Sequence, residues 1–531
     1  MSEVSLADCF DPALLQQLLK EFRRSIQGLL ADLCAELEHE NTRAATRYRL
    51  PVTLFRRLGE KLPLVAFSGW KAVGWVESLN DLVYFLDVEQ QLAKETDPRE
   101  FARQLLAECE ERLYEHSYLD ELFPLRRPDP AGLKRRLAQL CSRLAEEISQ
   151  EAIFLDPSFS CEWAGTVTGG QWLNTLGLAS NFERAEPADT IAVGTNGDYL
   201  TMPLSVQQST RSLARSIELI VRPQGMWVRV PGLKRPLPLC EVKGDRVSWQ
   251  WQVHQPTVLA KSQSGVFTVG PTLVYGKDRE PVRVLPTPAE VGPRIQTTLR
   301  LIREAWPLGY QLLALLTSRI VPLKAKGVVS FSYRHRPGLS FINCFDRDDL
   351  DLIDDLIHEN SHHHLNLLLR KSVLYRGDQN REIFYSPWRR SLRPLRGILH
   401  ATFTFTMGAV LFERLSAWGA SGKGRGARDG KSERLTEREL LRARFRCLEE
   451  VESVRYSLQD LHYADHHLGW LTGSGRRMVG QLAEAIDQVE GSSERFKREV
   501  LRSTFGPALR RHMKELQQAR MTYGPVRLSQ A

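Results

Sequence analysis

Residues 349–371 read DLDLIDDLIHENSHHHLNLLLRK. Leu350, Ile353, Leu356, Ile357, Leu365, Leu368 and Leu369 recur at three- and four-residue steps, the spacing that buries one face of a helix. Asp346, Asp348, Asp349, Asp351, Asp354 and Asp355 crowd the start, where exposed N–H groups and the helix dipole favour negative charge. Within this helix His358-Glu359-Asn360-Ser361-His362 is a complete HExxH. Residues four apart lie about 6 Å from one another on a helix, a separation that two imidazoles span around one divalent ion. His358 and His362 are therefore the expected metal ligands, with the Glu359 carboxylate beside them. His363 and His364 continue the run on other faces and are expected to support the site or lie on the surface.

Upstream, PRIQTTLRLIREAWPLGYQLLALLTSRI reads as helix, followed by the short strands GVVSFSY and GLSFIN joined by RHRP. This hairpin runs directly into the HExxH helix, and its edge is a place where an extended peptide can align past a metal through main-chain hydrogen bonds. Downstream, GDQNREIFYSPWRRSLRPLRGILHATFTFTMGAVLFERL begins with turns and becomes helical near Leu395. A catalytic site requires a third protein ligand, whether for zinc or for iron. His400 is the first choice because it interrupts an apolar helical stretch, with Glu413, Glu382 and Asp378 as alternatives. His462 and His466 are also four apart, but HYADHHLGW has no acid at the motif position and reads as an exposed helix face.

The 531 residues carry a net charge of +8 and are 42% hydrophobic, which is enough for well-formed cores. The eight cysteines show no CxxC pairing, which argues against a disulfide framework and a cysteine zinc site. No signal-like N-terminus or long uninterrupted apolar run is present, so the expectation is a cytoplasmic protein without a membrane partner. No nucleic-acid-binding signature accompanies the basic charge, and no nucleic-acid partner is expected. Three regions follow from the change of period. Residues 1–155 are helical, opening with Asp11 as cap and Pro12 in the first turn. Residues 156–291 alternate and read as β-rich. Residues 292–531 are a helical catalytic region with a glycine- and charge-rich loop at about 419–435 and two closing helices from about Thr436 to Ala519. The fold class is α+β, mostly helical, with a zincin-like HExxH helix fronted by a short sheet.

Chemistry alone first suggests a zinc peptidase, in which Glu359 takes a proton from metal-bound water. The metzincin extension is absent, because the sixth residue after His362 is Leu368. The pieces GVVSFSYRHRPGLSFIN, LIHENSHHHLNLLL and YSPWRRSLRPLRGILHA, in that order between Gly327 and Phe405, resemble the HExxH-motif peptide-modification proteins of ribosomally made peptide pathways. The resemblance implies iron(II), α-ketoglutarate and oxygen, and hydroxylation at the β-carbon of a residue in a precursor peptide. It implies His358, His362 and His400 as iron ligands and a cationic anchor for the distal carboxylate of α-ketoglutarate. Arg389 and Arg393 stand at the matching PWR and RP positions, and a guanidinium suits a carboxylate through two parallel hydrogen bonds. Glu359 would then orient a ligand, a water or the peptide. The zinc(II) peptidase and a non-catalytic peptide-binding scaffold remain as alternatives.

Overall fold

The computed structural model describes residues 9–112 apart from 49 and 51, short helical pieces within 132–141, the strands between 163 and 285, and residues 287–525 apart from 378–380 and 422–434. The glycine- and charge-rich loop expected at about 419–435 falls largely, and the candidate ligand Asp378 wholly, outside these residues. The α+β class is observed, with helices at both ends and small sheets between them.

The N-terminal region contains α1 (Pro12–His39), α2 (Thr42–Arg47), α3 (Val52–Lys61), α4 (Trp70–Leu92) and α5 (Pro98–Arg112). Asp11 caps α1 as expected, its carboxylate accepting from the Ala13 N–H at 2.9 Å. Two five-stranded antiparallel sheets follow between Trp163 and His254. A third sheet crosses the boundary expected at residue 291. It joins β1 (Thr257–Ser262), β2 (Gly265–Val269), β3 (Thr272–Tyr275) and β4 (Pro281–Leu285) to three later strands, β5 (Arg319–Lys324), β6 (Phe331–Ser332) and β7 (Leu339–Asn343).

The segment expected to be one helix before the hairpin is three elements. Pro307 breaks it into α6 (Val291–Ala305) and α7 (Pro307–Leu316), and residues 319–324 form β5. Strand β5 runs parallel to β2 and β3 on one side and to β7 on the other. Its side chains Ile320, Val321 and Leu323 are fully buried, as parallel strands covered on both faces require. The expected hairpin is present, with Phe331 opposite Phe341 and Ser332 opposite Ser340, and β6 is the outer strand.

Helix α8 (Asp349–Lys371) lies against this sheet. The Asp348 side chain accepts from the Asp351 N–H at 2.9 Å and starts the helix. A two-stranded hairpin of β8 (Phe384–Ser386) and β9 (Ser391–Arg393) leads into α9 (Leu395–Ala420). The closing segment is three helices rather than two: α10 (Glu437–His466), α11 (Gly473–Arg502) and α12 (Gly506–Thr522). Thr436 and Glu439 form a capping box at the start of α10. Helix α9 is the one helix among the described residues long and apolar enough to cross a membrane, yet 67% of its apolar window is buried within the fold.

The acidic turns of α8 dock the closing helices. Arg442 of α10 pairs with Asp348 and Asp351, and Arg446 reaches Asp354 at 2.8 Å. On the other side Arg294 of α6 reaches Asp349 at 2.6 Å. The charges that favour the helix start thus also fix its neighbours.

Candidate metal centre

His358 and His362 lie one turn apart on α8, their rings edge to face with centroids 4.9 Å apart. Donor atoms of His358, Glu359 and His362 all fall within 4.8 Å of one another. His400, six residues into α9, faces this pair across the helix interface with its ring centroid 6.3 Å from that of His362. These four side chains line one cavity of about 330 Å³. Phe405, a turn and a half beyond His400, packs its ring 4.9 Å from that of His358 and is itself stacked on Trp388 at 4.1 Å.

The three histidines are held in the protonation state that a metal requires. Burial lowers the pKa of His358 and of His362, the latter well below the usual value. His400 is pushed down to about 3, first by burial and then by the nearby Arg396 and Arg334 guanidiniums. The three imidazoles are therefore neutral at neutral pH, the state that ligates a metal. Among the described residues none hydrogen-bonds to their ring nitrogens. Burial pushes the Glu359 carboxyl up to about 8 against the opposing Ser332 hydroxyl, and its Oε2 is buried without a hydrogen-bond partner. A buried carboxylate oxygen without a donor is costly in isolation. A divalent ion, or a water or substrate N–H held near one, removes that cost. The donor set and the orphaned oxygen fit such an ion, with His358, His362 and His400 as the nitrogen donors and Glu359 beside them.

The neighbouring histidines are both buried and hold the helix in place. The Gly338 N–H donates to His363 Nδ1 at 3.4 Å, leaving Nε2 to face the Ser340 hydroxyl at 3.1 Å and tying α8 to β7. His364 Nε2 lies 2.7 Å from the Cys9 carbonyl and takes the donor role. Phe10 stacks on Phe403 of α9, so the N-terminal segment is clamped behind the metal helix.

Other sequence candidates are not brought to the cavity. Glu413 is buried, but in a separate apolar cavity of about 400 Å³, where it pairs with Arg495 at 3.2 Å and Arg414 at 3.5 Å. Thirteen residues of helix separate it from His400, about 20 Å along the axis at 1.5 Å per residue, too far for a shared ion. Glu382 is exposed in the segment before β8. His462 and His466 lie on the exposed face of α10, as expected.

Of the two expected carboxylate anchors, Arg389 lines the cavity and Arg393 does not. Arg389 sits in the turn of the hairpin and Arg393 in β9 opposite Phe384, with its Nε buried and unpartnered. Arg390, between them, has φ 52° and reaches Glu515 of α12 at 3.2 Å. Two further guanidiniums line the cavity: Arg396, which matches no position of the family resemblance and ranks below Arg389 and Arg393 in the sequence reading, and Arg334, which that reading passed over. Arg396 is one turn before His400 on α9 and Asn366 one turn after His362 on α8, so the i,i+4 rule used for the motif would have found both. Arg334 lies in the turn between β6 and β7, where no periodicity pointed to it.

No protein-family model matches this chain, and no curated protein matches it. The functional reading rests on the residues of the cavity.

Proposed function

We propose that this chain is an iron(II)- and α-ketoglutarate-dependent oxygenase that hydroxylates the β-carbon of a residue in a ribosomally made precursor peptide. The observation that carries the reading is the composition of one cavity: three neutral imidazoles with Arg334, Arg389 and Arg396 at its walls. A hydrolytic site has little use for three guanidiniums, whereas a dicarboxylate cosubstrate beside a dication requires compensating cations. At roughly 30 Å³ per water, the cavity holds about eleven waters' worth of volume, room for a five-carbon dicarboxylate and one entering side chain.

His358, His362 and His400 would hold the ion on one face and leave positions open. When bound, iron with α-ketoglutarate supplies the oxidising chemistry, and the protein's part is to bind, orient and exclude water. Arg389 and Arg396 are the anchors for the distal carboxylate. The stacked pair Phe405 and Trp388 forms an apolar wall beside His358, which keeps water from that side. Val329, Ser330, Phe331 and Ser332 line the same cavity, so a peptide added along the edge of β6 that no described strand pairs would pass the metal, the zincin-like element of the reading. Glu359 is placed to accept from such a peptide or from a water.

A second reading, a zinc peptidase, is favoured by one observation. Glu359 lies within the 4.8 Å donor group with an unpartnered oxygen, the position of a general base. The test is anaerobic loading with iron(II), then α-ketoglutarate and oxygen with a candidate precursor peptide. Succinate and a mass gain of about 16 Da, one inserted oxygen, both lost in His358→Ala and His362→Ala, are the expected results. Peptide cleavage restored by zinc without succinate would replace the oxygenase with the peptidase. Peptide binding indifferent to His358→Ala would leave only a scaffold.

A further inference from the structure

A second cavity of about 90 Å³ adjoins the metal cavity, and Arg334 and Asn366 line both. At roughly 30 Å³ per water, its volume is that of about three waters, the size of a carboxymethyl group. Its walls come from α1 (Phe22, Arg23), the Leu64–Ser68 turn, the α7–β5 connection and the far end of α8 (His363, Arg370). The cavity is cationic. Arg23 donates through Nε to the Ser68 hydroxyl at 2.8 Å and has no carboxylate partner among the described residues. Burial lowers its pKa with no neighbouring acid to offset the cost.

The carboxylates near this cavity are engaged elsewhere. Glu77 pairs with Arg370, whose guanidinium also lies 4.7 Å over the Phe22 ring and donates to the Arg334 carbonyl at 3.3 Å. Glu21 pairs with Lys371 at 2.6 Å, tying α1 to the end of α8. The acids near these bases thus hold the walls together and leave Arg23 and Arg334 facing the space. A half-buried guanidinium without an anion is a cost that a bound carboxylate removes.

We infer that this second cavity is a subsite for a carboxylate side chain of the peptide substrate, gripped by Arg23 and Arg334 while another residue of the same peptide lies in the metal cavity. The inference rests on the peptide-substrate reading above and adds a sequence preference to it: an acidic residue at a fixed offset from the modified one. Because Arg334 stands between the two cavities, the offset is short, a few residues of extended chain at about 3.3 Å each.

The test uses the full chain under nitrogen with iron(II) and saturating α-ketoglutarate, so that Arg389 and Arg396 of the metal cavity are engaged. Two labelled dodecapeptides of alanine and serine, one with three glutamates and one with three glutamines at the same positions, are compared by fluorescence anisotropy. The glutamate peptide is expected to bind at least fivefold more tightly. Arg23→Gln removes that preference, Arg23→Lys keeps most of it, and Arg24→Gln, the adjacent exposed arginine, leaves it unchanged. In the unmutated protein the glutamate peptide, and not the glutamine peptide, protects Arg23 from phenylglyoxal, read by mass spectrometry; this holds the test open if Arg23→Gln folds poorly. Equal binding of the two peptides, an equal loss in Arg24→Gln, or unprotected Arg23 overturns the subsite. A chain that shows the Arg23-dependent preference but forms no succinate when oxygen is then admitted with a candidate precursor peptide retains the subsite and loses the oxygenase.

Discussion

Arg446 is the residue whose removal most directly tests how the metal helix is held. Its guanidinium reaches Asp354 of α8 at 2.8 Å and Glu450 of its own helix at 3.1 Å, and Glu450 in turn accepts from Trp388 Nε1 at 2.9 Å. The Glu450 side chain is only 4% exposed, against 21% for Asp354. Burial pushes the Glu450 carboxyl up to about 8 even beside Arg446. A carboxyl whose folded pKa is raised binds its proton more tightly in the native state, so its contribution to stability falls as pH rises from about 4.5 to about 8 and then levels off. In Arg446→Met the stem is still filled, but Glu450 has lost its cation and the fall continues above pH 8. At pH 6 Glu450 is protonated in both proteins, and the cost is the partly solvated Asp354 pair, about 1 kcal/mol. At pH 9 a further unit of titration adds about 1.4 kcal/mol, for a total near 2.4 kcal/mol. At about 2 °C per kcal/mol, thermal melts should show drops of about 2 °C at pH 6 and about 5 °C at pH 9. Arg446→Met/Glu450→Gln should show the smaller drop at both pH values. Equal drops for the single variant at the two pH values, or an equally pH-dependent double variant, would refute the argument.

Three other perturbations separate the roles assigned above. His400→Ala should weaken iron(II) or cobalt(II) binding by at least tenfold in a chelator competition, while Glu413→Gln leaves it unchanged; the reverse order would move the third ligand. Trp388→Phe keeps an aromatic ring against Phe405 but removes the donor to buried Glu450, so it should cost about 1–2 kcal/mol and raise the KM for α-ketoglutarate more than it lowers kcat, through the hairpin that carries Arg389. His335 is held down to about 4 by burial and by Arg336 and Arg370. A depressed histidine is protonated first in the unfolded chain, so stability is lost as pH falls from about 6.5 to about 4; in His335→Gln that acid limb should flatten, and an unchanged limb would assign it to other groups.

What the sequence disclosed follows from which signals are local. The HExxH helix was legible because its cap, its apolar period and its ligand spacing lie within one segment, the twenty-three residues of the helix and Asp348 just before them. The hairpin before it was equally local. Strand β5 was not, since residues 319–324 follow a helical run, include Pro322, and become a strand only by lying between β2, β3 and β7. The same limit decided the site. His400 was found because a histidine in an apolar helix invites a partner, whereas Arg393 was chosen by its place in a motif, and the hairpin leaves it outside the cavity lining. Arg334 reaches the cavity only through the tertiary placement of a turn. The seat of His364 on the Cys9 carbonyl joins residues 355 apart in sequence, beyond any pattern a single segment carries.

That seat has a consequence for synthesis. The frame of the metal site draws on residue 9 behind α8 and on Tyr523, whose ring stacks 5.4 Å from Tyr385 of the arginine-bearing hairpin. A growing chain emerging from the ribosome thus displays His358, His362 and His400 well before the last of their supports is translated. In that interval the imidazoles are an unfinished chelate that any available divalent ion can visit. On the proposed reading, a metal would be retained only when the final helices close and fix the geometry, so folding order as well as ligand chemistry would act on metal choice.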